Sequence, residues 1–425
     1  MTSGGAPRLA RRLGTVDAVV IGLGSMLGAG VFAAFGPAAR AAGSALLLGL
    51  LIAGVVAYCN AVSSAQLAAV YPTSGGTYVY GRERLGAWWG FVAGWAFVIG
   101  KTASCAAMAL TFATYAVPGP TWVQRLVGVC GVLVLVAVNY RGVTKTAALT
   151  RVLVTCTLIA LAVAVAAILA GTVTTANVGG WQALGKGADV YGVLQAAGLL
   201  FFAFAGYARI ATMGEEVVDP QRTIPRAIPL ALAITFAVYL VIGTCALLAA
   251  GPGALAHSPA PLATAVRAAG AAYAQPVVRI GAAVASLGAL LALIAGIGRT
   301  SLAMARNGDL PRWLAGVHPR HRVPHHAELA LAAVVSVLVI ATDLRGVIGF
   351  SSFGVLLYYL IANASALTQP AADRRWPRAL NVLGMIGCAV LAATLPVRSI
   401  LAALAVLGVG VGGRWLVTRR AGSPA

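Results

Sequence analysis

The sequence is poor in charge. Asp, Glu, Lys and Arg make up 9% of its 425 residues, and only ten of these are acidic. A soluble protein carries about 25% charge, so a soluble globular chain is excluded. No acid falls near the middle of an apolar run. Asp17, Glu83, Glu215, Glu216, Asp219, Asp309, Glu328 and Asp373 sit at or near one set of run ends, and Asp189 and Asp343 at the other. A carboxylate relay for protons across a membrane has no support in that pattern. Paired carboxylates and His/Cys clusters are missing within the runs, which argues against a membrane-embedded enzyme. Cysteine is also scarce. Cys59, Cys105, Cys130, Cys156, Cys245 and Cys388 each lie inside an apolar run, as small buried side chains rather than disulfides or metal ligands. Four of the five histidines fall in "HPRHRVPHH", at 318, 321, 325 and 326, and read as a solvated basic loop, with a metal site as the alternative. The continuous polar lining of a channel is absent. "GWAFVIGKT" (94–102) ends like a phosphate-binding loop, but five residues rather than four separate Gly94 from Gly100 and no strand precedes it, which excludes an ATP-driven pump. No cofactor and no metal are expected.

What is present is apolar length. Hydrophobic residues make up 60% of the chain, in runs of about 20, each long enough to cross roughly 30 Å of hydrocarbon. The runs predict an all-α polytopic membrane protein with about twelve spans, near 16–40, 44–69, 86–117, 123–139, 148–171, 190–213, 227–250, 277–303, 327–341, 346–368, 379–396 and 399–417. The segment 251–276 is long enough for a short helix of its own. The basic N-terminus (Arg8, Arg11, Arg12) precedes a run too long for a signal peptide, with no clean cleavage site after it.

The net charge of +20 follows from topology. Most of the 30 Lys and Arg fall in loops on the side of the N-terminus. Arg40, Arg125, Lys186, Arg267, Arg279, Arg345 and Arg398 fall on the other side, and Lys101 lies inside a span. This positive-inside asymmetry predicts a multi-pass protein of the cytoplasmic (inner) membrane with both termini cytoplasmic. No nucleic-acid motif accompanies the charge, and the partner is the lipid bilayer.

The first span contains "VVIGLGSMLGAGVF" (19–32), with glycines at 22, 24, 28 and 30. Each glycine costs a helix about 1 kcal/mol relative to alanine. Gly24-x-x-x-Gly28 fits close helix packing. It also fits an interruption, tolerable at membrane depth only where the freed backbone groups line a cavity or bind something. The sixth span, "LLFFAFAGYARIATMGEEVVDP", favours interruption. It has its own small-residue break at Ala205-Gly206, flanked by Phe201, Phe202, Phe204 and Tyr207. The two breaks lie five spans apart, so their helices run in opposite directions. Paired broken spans of this kind mark an inverted-repeat secondary transporter. Freed N–H groups suit a carboxylate and freed C=O groups an ammonium, which together describe a free amino acid.

These motifs resemble the amino acid–polyamine–organocation (APC) permeases. "GLGSMLGAGVF" matches the family's first-span signature. "AQLAAVYPTSGGTYVY" (65–80), "NYRGVTKTAALTR" (139–151), "FFAFAGY" with "GEEVVDPQRTIPRAIP" (201–229) and "RTSLAMARNGDLPRWL" (299–314) follow in family order. The resemblance implies a LeuT-like fold: a five-plus-five inverted repeat (16–171 and 190–368) with broken helices 1 and 6, then two C-terminal helices (379–418). It implies a permease that moves a free amino acid by alternating access, proton-coupled or by exchange; a non-transporting amino acid sensor on the same scaffold is the alternative. By the same resemblance the amides of Ala29 and Gly30 bind the substrate carboxylate, with Leu27 and Gly28 nearby. The carbonyls of Met26, Phe202, Ala203 and Ala205 bind the amine beside Gly206, and Phe204 or Tyr207 closes over the side chain. "PTSGGTYVYGRERLG" (72–86) reads as a gating loop, and Glu215 and Glu216 as an inner gate with Arg222 and Arg226.

Relatives that carry cationic amino acids show an acid in span three and a lysine in span five, where this chain has Gly100 and Thr157. The paired hydroxyls of a sodium site are replaced by Leu287-Gly288. The predicted lining of Met26, Cys105, Met108, Phe204 and Tyr207 has no carboxylate to meet a cationic side chain. A neutral or anionic amino acid is therefore expected, with the proton as coupling ion. Lys101 stands about 21 Å from one end of its span and about 25 Å from the other, too deep to snorkel. Two roles fit it: a cap on the carbonyls of a broken helix, or the coupling group that takes up and releases a proton.

Overall fold

The computed structural model describes residues 13–73, 75–141, 147–173, 189–321 and 323–421. Of the charges sorted above, Arg8, Arg11, Arg12, Lys145, Lys186 and Arg322 lie outside the described residues. Among the described residues ten helical stretches are long and apolar enough to cross a membrane, and two shorter apolar helices complete the set. The protein is an all-α polytopic membrane protein with no strand among the described residues. In chain order the spans are Thr15–Met26 with Ala29–Ala33 and Phe35–Ala42, then Leu46–Val70, Ala87–Ala116, Thr121–Tyr140, Ala147–Leu169 and Val190–Phe204 with Ala208–Ala211. Pro220–His257, Gln275–Arg306, His325–Ala341, Leu344–Leu367, Arg378–Ala393 and Val397–Ala421 follow. Spans one and two are separated at Gly43, whose φ of 57° and ψ of −132° no continuing helix contains.

One connection differs from its predicted form. The segment read as a gating loop at 72–86 is mostly the helix Thr77–Leu85, entered through Gly76 at φ 56°. The Thr77 amide, in the first turn, donates to the Tyr358 hydroxyl at 3.0 Å. The segment 251–276 holds the short helix expected of it, Pro261–Ala268, after span seven, which starts at Pro220 and turns at Gly251 (φ 70°, ψ 164°).

The inner layer is made by spans one, two, three, six and ten, which bury most of their apolar stretches; span eight, half buried, packs along span three. Spans four and twelve form the rim, with few buried positions. Small residues let the backbones approach. A Cβ on Gly100 would stand 3.2 Å from the backbone of Gly354, so spans three and ten touch through glycines. Spans two, ten and eleven are joined by a buried polar chain. Asn363 donates to Asn60 Oδ1 (2.6 Å), Ser63 donates to Asn363 Oδ1 (2.6 Å), and Asn381 donates to Ser63 Oγ (2.6 Å). Where no water competes, such pairs add roughly 0.6–2 kcal/mol each. All six cysteines are free thiols; Cys130 and Cys156 face outward rather than into the core, contrary to the expectation that all six are buried.

Two sets of contacts join neighbouring segments on the face that carries Leu13. Leu13 pairs with the segment after span six, through Leu13 N–H to the Glu216 carbonyl (3.1 Å) and Val218 N–H to the Leu13 carbonyl (2.9 Å). Asp309, beyond span eight, accepts from Tyr78 (2.7 Å) and Arg82 (3.0 Å) and pairs with Arg414 of span twelve (2.8 Å). The Arg414 guanidinium also lies over the rings of Trp88 (4.9 Å) and Phe91 (4.7 Å). Burial, with the Asp309 carboxylate second, pushes the Tyr78 hydroxyl up to about 12, so it stays a donor at neutral pH.

Candidate functional site

The first span stops being helical where its glycines concentrate. Met26 ends the first half; Leu27 (ψ 31°) and Gly28 (ψ −140°) leave helical geometry, and Ala29 starts the second half. The sixth span breaks more gently. Its α-helix ends at Phe204, tightens to a 3-10 turn over Ala205–Tyr207, and resumes for Ala208–Ala211.

The two breaks touch. A Cβ on Gly206 would stand 2.4 Å from the carbonyl carbon and oxygen of Ser25, so no larger residue fits there. A Cβ on Gly30 would stand 2.7 Å from the Ala203 Cα, and one on Gly28 2.7 Å from the Ala289 Cβ. Gly24 lies against Val154 and Thr150 of span five. Packing and interruption, the two readings of these glycines, therefore coexist. A side chain at Gly30 would therefore meet the span-six backbone before reaching any ligand.

Side chains from other spans hold the freed carbonyls. The Tyr239 hydroxyl of span seven lies 2.5 Å from the Met26 carbonyl and 3.0 Å from the Ala203 carbonyl, and its one proton is shared between them. Lys101 of span three donates to the Ala205 carbonyl at 3.1 Å, and the Tyr359 hydroxyl approaches the same oxygen at 3.5 Å. Three of the four carbonyls expected to meet an amine thus already carry a side-chain donor. The amides of Ala29 and Gly30 lie in the first turn of the resumed helix, where no carbonyl of the preceding turn is available to them.

A cleft of about 910 Å³, its open mouth included, lies against both breaks. Met26, Gly28, Ala29, Gly30, Lys101, Met108, Phe202, Ala203, Ala205 and Gly206 line it. Leu27, Cys105, Phe204 and Tyr207 are buried away from it. Phe204 packs on Tyr239 (ring centroids 5.0 Å), and Tyr207 stacks on Tyr359 (4.9 Å), so neither ring is placed to close over a ligand. Phe97 of span three supplies the aromatic wall beside Phe202, and Ala292, Leu293 and Gly296 bring span eight to the opposite side. No local sequence signal marks Tyr239, or Ala292, Leu293 and Gly296, as part of the site, whereas Phe97 stands one helical turn before Lys101.

The cleft opens toward the end of the molecule that carries Arg209, Thr212, Arg299 and Thr300. Its lining contains three cationic side chains, Lys101, Arg209 and Arg299, and no Asp or Glu. Glu216 stands just beyond, 4.0 Å from Arg209 and 3.9 Å from Arg299. This corrects the expected gate: Glu216 faces these two arginines, while Arg222 pairs with Asp219 (3.7 Å) in its own helix turn. Glu328, expected at a span end, is buried there and accepts from Asn139 at 2.8 Å. The rings of His318, His321 and His325 gather around Tyr140 instead of splaying into solvent.

Comparison with known proteins gives a family match. The family described as amino acid permease covers residues 13–412. The chain is 61% identical over 417 residues to an uncharacterized transporter of Mycobacterium tuberculosis, covering 97% of this chain and 93% of that one. It is 24% identical over 404 residues to a branched-chain amino acid permease of Bacillus subtilis (90% and 85% covered). It is 28% identical over 385 residues to a vacuolar cationic amino acid transporter of Arabidopsis thaliana (84% and 62% covered).

Proposed function

The chain belongs to the amino acid permease family and is a multi-pass membrane transporter, and from that premise we propose that it carries a free amino acid by alternating access. The observation that supports this most is the contact of the two breaks at Gly206 and Ser25, with one cleft lined by both. The substrate carboxylate is held by the Ala29 and Gly30 amides at the positive end of the resumed helix. The ammonium takes the remaining lone pairs of the Met26, Phe202, Ala203 and Ala205 carbonyls. The side chain extends between Phe97, Met108 and span eight.

Relatives are named for branched-chain and for cationic substrates. A cleft with Lys101, Arg209 and Arg299 and no carboxylate disfavours a cationic side chain, so the substrate is a neutral or anionic amino acid. The repeats span 16–171 and 190–368, and both termini are cytoplasmic, which makes the open mouth cytoplasmic. Coupling runs through a proton, with Lys101 as the titrating group, or through exchange. The test is uptake by protein reconstituted into liposomes, screened over the twenty amino acids under imposed pH and sodium gradients. Binding without flux would indicate a sensor instead.

A further inference from the structure

A second, larger space lies outside the transport path. It is a groove of about 1960 Å³ on the membrane-facing side, walled by spans nine and twelve and floored by spans three and ten. On span nine it runs from Ala327 to Ala341, about 21 Å along the axis and most of the roughly 30 Å of hydrocarbon. Its surface is apolar, with Ile99, Val334, Leu338 and Phe350 among the lining residues. Three hydroxyls in it are spent on backbone carbonyls: Thr102 donates to Val98 (2.7 Å) and Thr342 to Leu338 (2.5 Å) in their own helices, and Ser399 donates across to Gly346 of span ten (3.2 Å). A polar solute gains nothing along this length, whereas a hydrocarbon chain does.

One end is different. Arg125 and Arg398 stand there with Asp343. Arg125 reaches only the Thr342 carbonyl, at 3.4 Å. The exposed Arg398 guanidinium has no hydrogen bond or ion pair among the described residues. The Asp343 carboxylate is committed to capping its own helix, accepting from Gly346 N–H at 2.6 Å. The end keeps an excess positive charge at the depth of a headgroup, and guanidinium groups bind phosphate oxygens strongly.

We propose that this groove is a site for an anionic phospholipid. One acyl chain lies along spans three, nine, ten and twelve, and the phosphate sits between Arg398 and Arg125. With the termini cytoplasmic, the lipid belongs to the outer leaflet. The site is independent of the amino acid cleft: none of these groove residues lines it.

The test uses the full chain, delipidated in detergent, with phosphatidylglycerol as probe, read by native mass spectrometry and thermal melting. Wild-type protein is expected to retain a phosphatidylglycerol adduct and to melt higher with it. The double variant Arg125→Gln/Arg398→Gln is expected to lose at least tenfold in retention. Val334→Trp, which fills the groove from an exposed position, is expected to lose it as well while melting normally without lipid. Equal retention by wild type and both variants would overturn the proposal. So would an equal thermal shift from glycerol phosphate alone, which would make the arginine end a free-phosphate site. Cross-linking of Val334→Cys to a second copy in lipid-saturated protein would overturn it too, by giving the groove to a dimer.

Discussion

The ammonium of Lys101 lies 3.1 Å from the carbonyl oxygen of Ala205, joining the middle of span three to the break in span six. Lys101 is buried and also lines the cleft, so the capping contact is seen, and the proposed coupling role rests on the same ammonium. Charged, it caps the break; neutral, it loosens its hold on a carbonyl that faces the ligand. Lys101→Met is expected to flatten the pH dependence of uptake while leaving measurable binding. Lys101→Arg, which keeps a permanent donor, should retain binding but also lose the pH response. Full proton-driven accumulation by Lys101→Met would remove Lys101 as the coupling group.

Tyr239 fixes the Met26 and Ala203 carbonyls through one hydroxyl. Tyr239→Phe keeps the ring packed on Phe204 and removes only that donor. A lost hydrogen bond of this kind costs about 1 kcal/mol, which corresponds to roughly a fivefold loss in substrate affinity. Equilibrium binding measures it, and an unchanged or tighter Kd would show that the hydroxyl does not set the break's geometry.

Two glycines at the cleft separate folding from binding. Gly206→Ala places a methyl 2.4 Å from the Ser25 backbone, so the variant is expected to lose folded yield along with uptake. Gly296 lines the cleft with nothing within 4 Å of its missing Cβ. Gly296→Val should therefore fold as wild type and lose binding. Size-exclusion profiles and ligand binding on the same preparations distinguish the two.

Asp309 is nearly enclosed by Tyr78, Arg82 and Arg414. Removing one member of a buried ion pair costs about 3–5 kcal/mol, since it strands the partner's charge. Asp309→Ala is expected to lower the melting temperature far more than Arg82→Ala, because Arg82 is partly exposed while Arg414 has only the Trp88 and Phe91 rings left. Equal shifts would mean that the contact to span twelve contributes little.

The spans and both breaks were legible in the sequence because lipid imposes a simple rule: about 20 apolar residues per crossing, with glycine out of place unless the helix yields. The breaks came out within a residue or two, at Leu27-Gly28 and Ala205–Tyr207. What was not legible is set by rotation about helix axes. Phe204 and Phe202 are two residues apart on one helix, and only Phe202 reaches the cleft. Tyr239 looks like any interfacial tyrosine until span seven is laid across the breaks. The Asn60, Ser63, Asn363 and Asn381 chain joins residues 300 or more positions apart, and no local pattern announces it.

The cleft's charge bears on selectivity. With Lys101, Arg209 and Arg299 lining it, arginine and lysine are expected not to compete with a neutral or anionic substrate. Relaxation of that preference in Arg209→Gln or Arg299→Gln, read as a rise in arginine competition, would show that these side chains repel cations. Arginine displacing every neutral amino acid from wild-type protein would contradict the assignment.

The most direct measurement compares wild type and Gly296→Val in liposomes under an imposed pH gradient, with uptake of labelled amino acids and the folded fraction of each preparation recorded together. The account predicts accumulation of a neutral or anionic amino acid by wild type, and none by an equally well-folded Gly296→Val. Equal uptake by the two would contradict the assignment of the cleft at the crossed breaks as the transport site.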